Sequence, residues 1–207
     1  NGRIEKIDFN YEDQNKIQII DKIEKKITFN NENSLIDLNN AFTNKVFKVL
    51  VKKNYSLNKP LIIYHSTNEK IKSKTINLRL DFELEENSSI RIIDFFIDNS
   101  VKNFTNILYN FILKKNSILK NYKIDKFYND NLKYSFNNIE QDANSVSETF
   151  ILSSGSNFFK NEVNCNLKGE YSSAFVNGIF SLKENQQHEI RTTINHLVEN
   201  TKSYQLI

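Results

Sequence analysis

The chain has 207 residues, 39% of them apolar, with one cysteine, one proline and neither methionine nor tryptophan. That length allows one domain with a sizeable core or two small ones, and no stretch approaches the roughly 18 apolar residues of a membrane span. The 28 basic and 25 acidic residues nearly balance and cluster only as pairs such as Lys52-Lys53, unlike the basic face of a nucleic-acid protein, and a lone Cys165 excludes an internal disulfide.

The start, Asn1-Gly2-Arg3-Ile4-Glu5-Lys6, has neither a basic n-region nor an apolar h-region, so no secretory signal is expected. With the mean hydropathy of −0.55, this predicts a soluble, cytoplasmic protein. Few alanines and many β-branched and aromatic residues favour strands over helices. Residues 1–60 read as an N-terminal lead-in segment. Its best helical stretch runs from Asp37 to Val51, where Leu38, Ala41, Phe42 and Val46 fall near one face.

Residues 61–207 read as a β-helix core. Ile76-Asn77-Leu78-Arg79-Leu80-Asp81-Phe82-Glu83-Leu84 alternates strictly, the pattern of a half-buried strand. The acidic cluster Glu83, Glu85 and Glu86 reads as its solvated end. A polar corner then recurs as Asn87-Ser88-Ser89-Ile90, Lys115-Asn116-Ser117-Ile118, Ala143-Asn144-Ser145-Val146 and Tyr171-Ser172-Ser173-Ala174. Ser89, Ser117, Ser145 and Ser173 are spaced by 28 each time. Antiparallel hairpins would carry Asn-Gly or Asp-Gly turns, and these corners have neither. A solenoid with two short strands per turn accounts for the period, each coil burying its apolar face against its neighbours. Val163, Cys165 and Leu167 alternate on odd numbers, whereas Ile190 and Ile194 fall on even ones. The repeat therefore fixes corners better than side-chain register.

No residue is assigned a catalytic or cofactor-binding role. Ser154-Gly155-Ser156 lacks the spacing of a nucleophile elbow, and there is no Walker loop, Gly-x-Gly-x-x-Gly or Cys-x-x-Cys. The metal-ligand candidates are His188, His196 and Cys165. The two histidines would lie over 20 Å apart on one extended strand, at about 3.3 Å per residue, and could not share an ion. Hydrogen-bonded or solvent-facing histidines are the expectation. Cys165, on an inward position, reads as a small buried hydrophobe. His65 ends an apolar run without an obvious partner.

Phe175-Val176-Asn177-Gly178-Ile179-Phe180, Gln187-His188, Thr193-Ile194-Asn195-His196 and Thr201-Lys202-Ser203 carry a resemblance to a known family. Leu38-Asn39-Asn40-Ala41-Phe42 and Asn58-Lys59-Pro60-Leu61-Ile62-Ile63-Tyr64 extend it upstream. The chain resembles the SufB/SufD family of iron–sulfur cluster assembly proteins. It departs from that family at Asn195, where many relatives carry Asp, and at Glu189 to Thr192, where relatives are richer in His. The family's downstream Cys/His region, and the C-terminal helices that dock the SufC ATPase, have no counterpart here. The short N-terminal part and the absence of further cysteines look more like SufD than SufB.

The resemblance implies a right-handed parallel β-helix and a cytosolic complex with SufB-like and SufC-like ATPase subunits. It also implies a non-catalytic scaffold role, with an iron–sulfur cluster at the level of the complex and none bound by this fragment. Tyr204-Gln205-Leu206-Ile207 reads as a strand cut one strand into a new coil. The expectation is thus a truncated core, with a homodimer of the fragment possible through the cut end. The alternatives are a SufB-like scaffold subunit or a β-helical polysaccharide lyase or hydrolase. The enzymes need stacked acidic residues, often with Ca²⁺, and a basic residue along one groove. The aligned coil positions carry no Asp or Glu ladder.

Overall fold

A computed structural model describes residues 13, 15–22, 33–43, 45–67, 72–98, 102–127 and 131–207. The chain runs through β1 (Ile17–Lys22), helix α1 (Ser34–Phe42), β2 (Val46–Val51), β3 (Leu61–Thr67), β4 (Thr75–Leu84), β5 (Ser89–Asp98) and β6 (Phe104–Leu113). It continues through β7 (Ile118–Phe127), β8 (Leu132–Gln141), β9 (Val146–Ser154), β10 (Phe158–Leu167), β11 (Ser173–Ser181), β12 (Gln187–His196) and β13 (Lys202–Leu206). From β2 onward, successive strands alternate between two parallel sheets. The first sheet has the order β2-β4-β6-β8-β10-β12, with β1 antiparallel on its edge, and the second has β3-β5-β7-β9-β11-β13. Two strands per coil in register make a parallel β-helix.

The helix is shorter than the Asp37-to-Val51 reading. Asn33 caps α1 by accepting a hydrogen bond from the Leu35 N–H at 3.0 Å. Thr43 ends it with extended backbone and an N–H bonded to the Asn39 carbonyl at 2.8 Å. Val46, Val49 and Val51 then follow, and their branched side chains bury better on a pleated sheet than on a helix.

The corners explain the period. Asn87, Asn116, Asn144 and Tyr171 hold φ between 56° and 61°, the left-handed region that asparagine tolerates best among residues with a side chain. Each is followed by a serine whose N–H bonds back three residues, as Ser117 does to Lys114 at 3.0 Å and Ser145 to Asp142 at 3.2 Å. The Asn87 amide donates to Asn54, and that of Asn116 to Asn87, each at 2.8 Å, so the corners are also tied along the axis. The corner serines are Ser88, Ser117, Ser145 and Ser172, spaced by 29, 28 and 27. A constant spacing of 28 instead picks Ser89 and Ser173, which open β5 and β11.

The same unequal steps settle the register. β10 and β12 pair with an offset of 29, Phe158 opposite Gln187. An odd step exchanges odd for even numbers, so Ile194 lies beside Cys165 and both reach the core cluster. The apparent slip in parity is a change of number, not of face.

The interior is apolar along much of its length, with Phe82 and Phe111 stacked at 4.9 Å between ring centres. α1 covers part of the outer face of the first sheet, over β4, β6 and β8. Ile36 packs there with Leu108, Tyr134 and Phe136, and the Asn39 amide donates to the carbonyls of Leu78 and Asn106 at 3.0 and 2.8 Å. This buries Arg79 to Phe82 on both faces, where alternation alone reads as half-buried. Arg79 and Asp81 meet that burial by pairing, Nη2 to Oδ2 at 2.9 Å. Glu83, Glu85 and Glu86, read as solvated, pair with Lys48, Lys52 and Lys53 of the preceding coil.

On the outward face of the second sheet, Ile62, Ile93, Tyr122 and Phe150 form one column in register. Tyr64, Phe95, Ile124, Leu152 and Ile179 form the next. Among the described residues no helix is long and apolar enough to cross a membrane.

Candidate functional site

Period-2 alternation sends every second residue of β5 and β7 into the lumen. On β5 these are Ile90, Ile92, Asp94 and Phe96, and on β7 they are Leu119, Asn121, Lys123 and Asp125, all buried. Polar and charged residues therefore occupy positions that their neighbours fill with hydrocarbon. Asp94 and Lys123 are register partners on adjacent coils. His65 joins them from β3, and Tyr109 and Lys133 from the first sheet.

The tract is held by direct contacts. His65 Nε2 lies 2.9 Å from Asp94 Oδ1 and 3.3 Å from the Tyr109 hydroxyl oxygen. Lys123 Nζ lies 3.5 Å from Asp94 Oδ2 and 3.2 Å above the Tyr109 ring centre. Lys133 forms an ion pair with Asp125 and sits 3.9 Å above the Phe96 ring. Further along, the Ser153 hydroxyl meets His188 Nδ1 at 3.0 Å, with Gly155 O against Nε2.

Burial and charge compete at each group. Burial works against the Asp94 carboxylate, but the charges of His65 and Lys123 outweigh it and hold Asp94 well below the usual carboxylate range. For Lys123, burial comes first and the Lys133 charge adds to it. The two aspartates only partly restore the ammonium, which falls to about 8. Burial, reinforced by Asp94, pushes the Tyr109 phenol up. Burial lowers His188 against the backbone carbonyl that supports its charge. The Lys123 amine and the amide nitrogens of Asn121 and Asn161 make no hydrogen bond among the described residues. Groups of this kind make the lumen polar enough to hold ordered water.

The three metal-ligand candidates are not brought together. Cys165 is fully buried on β10, where burial pushes its thiol to about 12. His188 and His196 occupy the two ends of β12. His196 binds the hydroxyls of Thr201 and Ser203, at 2.6 and 3.1 Å. Among the described residues no three His, Cys, Asp or Glu side chains converge as a metal site. The charged tract was missed from sequence because Asp94, Lys123, Asp125 and Lys133 form no motif. The available signal was parity, since Asp94 shares the numbering of Ile90, Ile92 and Phe96. His65, which looked partnerless, finds Asp94 from the next coil.

A second polar cluster fastens the helix to the sheet. The Tyr134 hydroxyl donates to Glu162 at 2.8 Å, Asn33 donates to the same carboxylate at 3.1 Å, and Lys160 pairs with Glu162 at 2.9 Å. The Glu162 carboxylate is thus engaged in fastening Asn33 and Tyr134.

Residues 64–207 match the family model described as SUF system FeS cluster assembly, SufBD core domain. No curated protein matches the chain.

Proposed function

The chain belongs to the SufBD core family of the SUF system for iron–sulfur cluster assembly, and on that premise we propose that it is a SufD-like, non-catalytic scaffold subunit. In this reading it works in the cytosol with a SufB-like subunit and a SufC-like ATPase. ATP hydrolysis belongs to the ATPase, and the nascent cluster is cargo assembled at the contact between the two β-helical subunits.

The observation that carries SufD over SufB is Cys165. A subunit that took sulfur or iron on a thiolate would need an accessible thiol of lowered pKa. Cys165 is buried and pushed the other way. The histidines fit no better as a resident cluster site, since His188 and His196 sit at opposite ends of one strand. Contribution through shape is the role this favours, with a SufB-like subunit as the proposed partner. Self-association of this chain is the competing outcome, read as a dimer by sedimentation.

The reading is tested by anaerobic iron and sulfide analysis of the assembly formed with and without this chain. Cluster content should fall when the chain is omitted. Unchanged content would overturn the scaffold role.

A further inference from the structure

The outward face of the second sheet carries two adjacent apolar columns, and this observation stands apart from the iron–sulfur reading. Ile62, Tyr64 and Ile179 are 51%, 66% and 59% exposed, and Tyr64 stacks on Phe95 with ring centres 5.1 Å apart. A contiguous stripe of this kind marks an interaction surface more often than scattered single residues do.

The stripe has the dimensions of one helix. From β3 to β11 it crosses five strands, about 19 Å between the first and last, with the columns about 7 Å apart. At 1.5 Å per residue, roughly 13 residues of α-helix span that length. Even with its flanks, a face of about 25 by 15 Å would bury on the order of 800 Å² in total against a second copy, below the ~1,200 Å² of a stable pair. The fold itself supplies the precedent, because α1 covers the apolar patch of Leu108, Tyr134 and Phe136 on the outer face of the first sheet with Leu35 and Ile36.

Charge indicates the flanks of the occupant. Arg91 and Lys120 are register partners on one side of the stripe, and Lys126 lies on the other. Among the described residues Glu148 is the acidic register neighbour of Lys120, and it pairs with Lys120 at 3.0 Å. We propose that this face docks an amphipathic helix of a partner protein, with its apolar side on the Tyr122, Phe150, Ile124 and Leu152 stripe and Asp or Glu residues along its flanks.

Two synthetic 18-residue peptides serve as probes for fluorescence anisotropy with the full chain. Both carry leucine on one helical stripe, one with glutamate flanks and the other with lysine flanks. The glutamate peptide should bind saturably and at least ~5-fold tighter than the lysine peptide. Ile124→Glu should weaken it at least ~10-fold. Circular dichroism and the melting midpoint check that Ile124→Glu stays folded. Arg91→Glu with Lys126→Glu leaves the stripe intact and should reverse the order of the two peptides. Equal binding of the two peptides, or binding indifferent to Ile124→Glu, would overturn the proposal. A dimer of the free protein abolished by Ile124→Glu would assign the face to a second copy. Binding to phosphatidylglycerol vesicles but to neither peptide would assign it to a membrane. Either result also overturns the helix proposal.

Discussion

Lys123 Nζ stands 3.5 Å from the Asp94 carboxylate inside the solenoid, with side-chain exposures of 1% and 3%. Removing one partner of such a pair leaves a buried charge uncompensated, which typically costs ~3–5 kcal/mol. Asp94→Asn should therefore destabilise the fold by about that amount, read by urea denaturation. His65 and Lys133 lose a counter-charge in the same step, so a loss below ~1 kcal/mol would show that the tract is solvated rather than paired.

The same pair gives a pH dependence with a defined sign. The Lys123 amine titrates near 8 in the folded chain and at its ordinary 10.5 when unfolded. Between those values the unfolded state holds the extra proton, so the contribution of Lys123 to stability rises with pH across that window. The difference in unfolding free energy between the native chain and Lys123→Met should increase from about pH 8 to 10.5. Asp94 has the same sign in a lower window. Its depressed value adds stability above 3.8 that is lost as the medium is acidified below that point. A difference that falls between pH 8 and 10.5 would contradict the placement of Lys123.

Cys165 should be inert while the chain is folded. Its thiol is buried and raised to about 12, so little thiolate exists at pH 8. An aromatic disulfide reagent should leave it unmodified in buffer and react fully in concentrated guanidinium. Rapid modification of the folded chain would place Cys165 at the surface and remove the argument for SufD over SufB.

Gly169 should tolerate no side chain. A Cβ there would lie 2.0 Å from the Ala143 backbone nitrogen on the preceding coil. That atom is held in a corner and cannot give way as a flexible side chain would. Gly169→Ala should cost at least ~1–3 kcal/mol by overpacking. A Tm equal to that of the native chain would mean the corner is looser than described.

What the sequence made legible follows the physics of each signal. Corners announce themselves, because Asn87, Asn116 and Asn144 occupy left-handed backbone and are each followed by a serine that caps the turn. Strand type was plain from alternation at Ile76–Leu84 and Val163–Leu167. The helix overran because Val46 continues the apolar spacing of Leu38 and Phe42, while its β-branching, which favours a strand, is a weaker local signal. Register stayed hidden, since a one-residue change in coil length exchanges odd and even numbers without changing the face. The charged tract was hidden for a related reason. His65, Asp94 and Lys123 come from three coils, and only the fold makes them neighbours.

The scaffold account is tested most directly by the company the full-length protein keeps. It is tagged and co-expressed with an ABC-type ATPase and a SufB-like partner, then examined by native mass spectrometry. The account predicts one assembly containing all three chains. Isolation of the tagged protein alone, while the other two associate with each other, would contradict it.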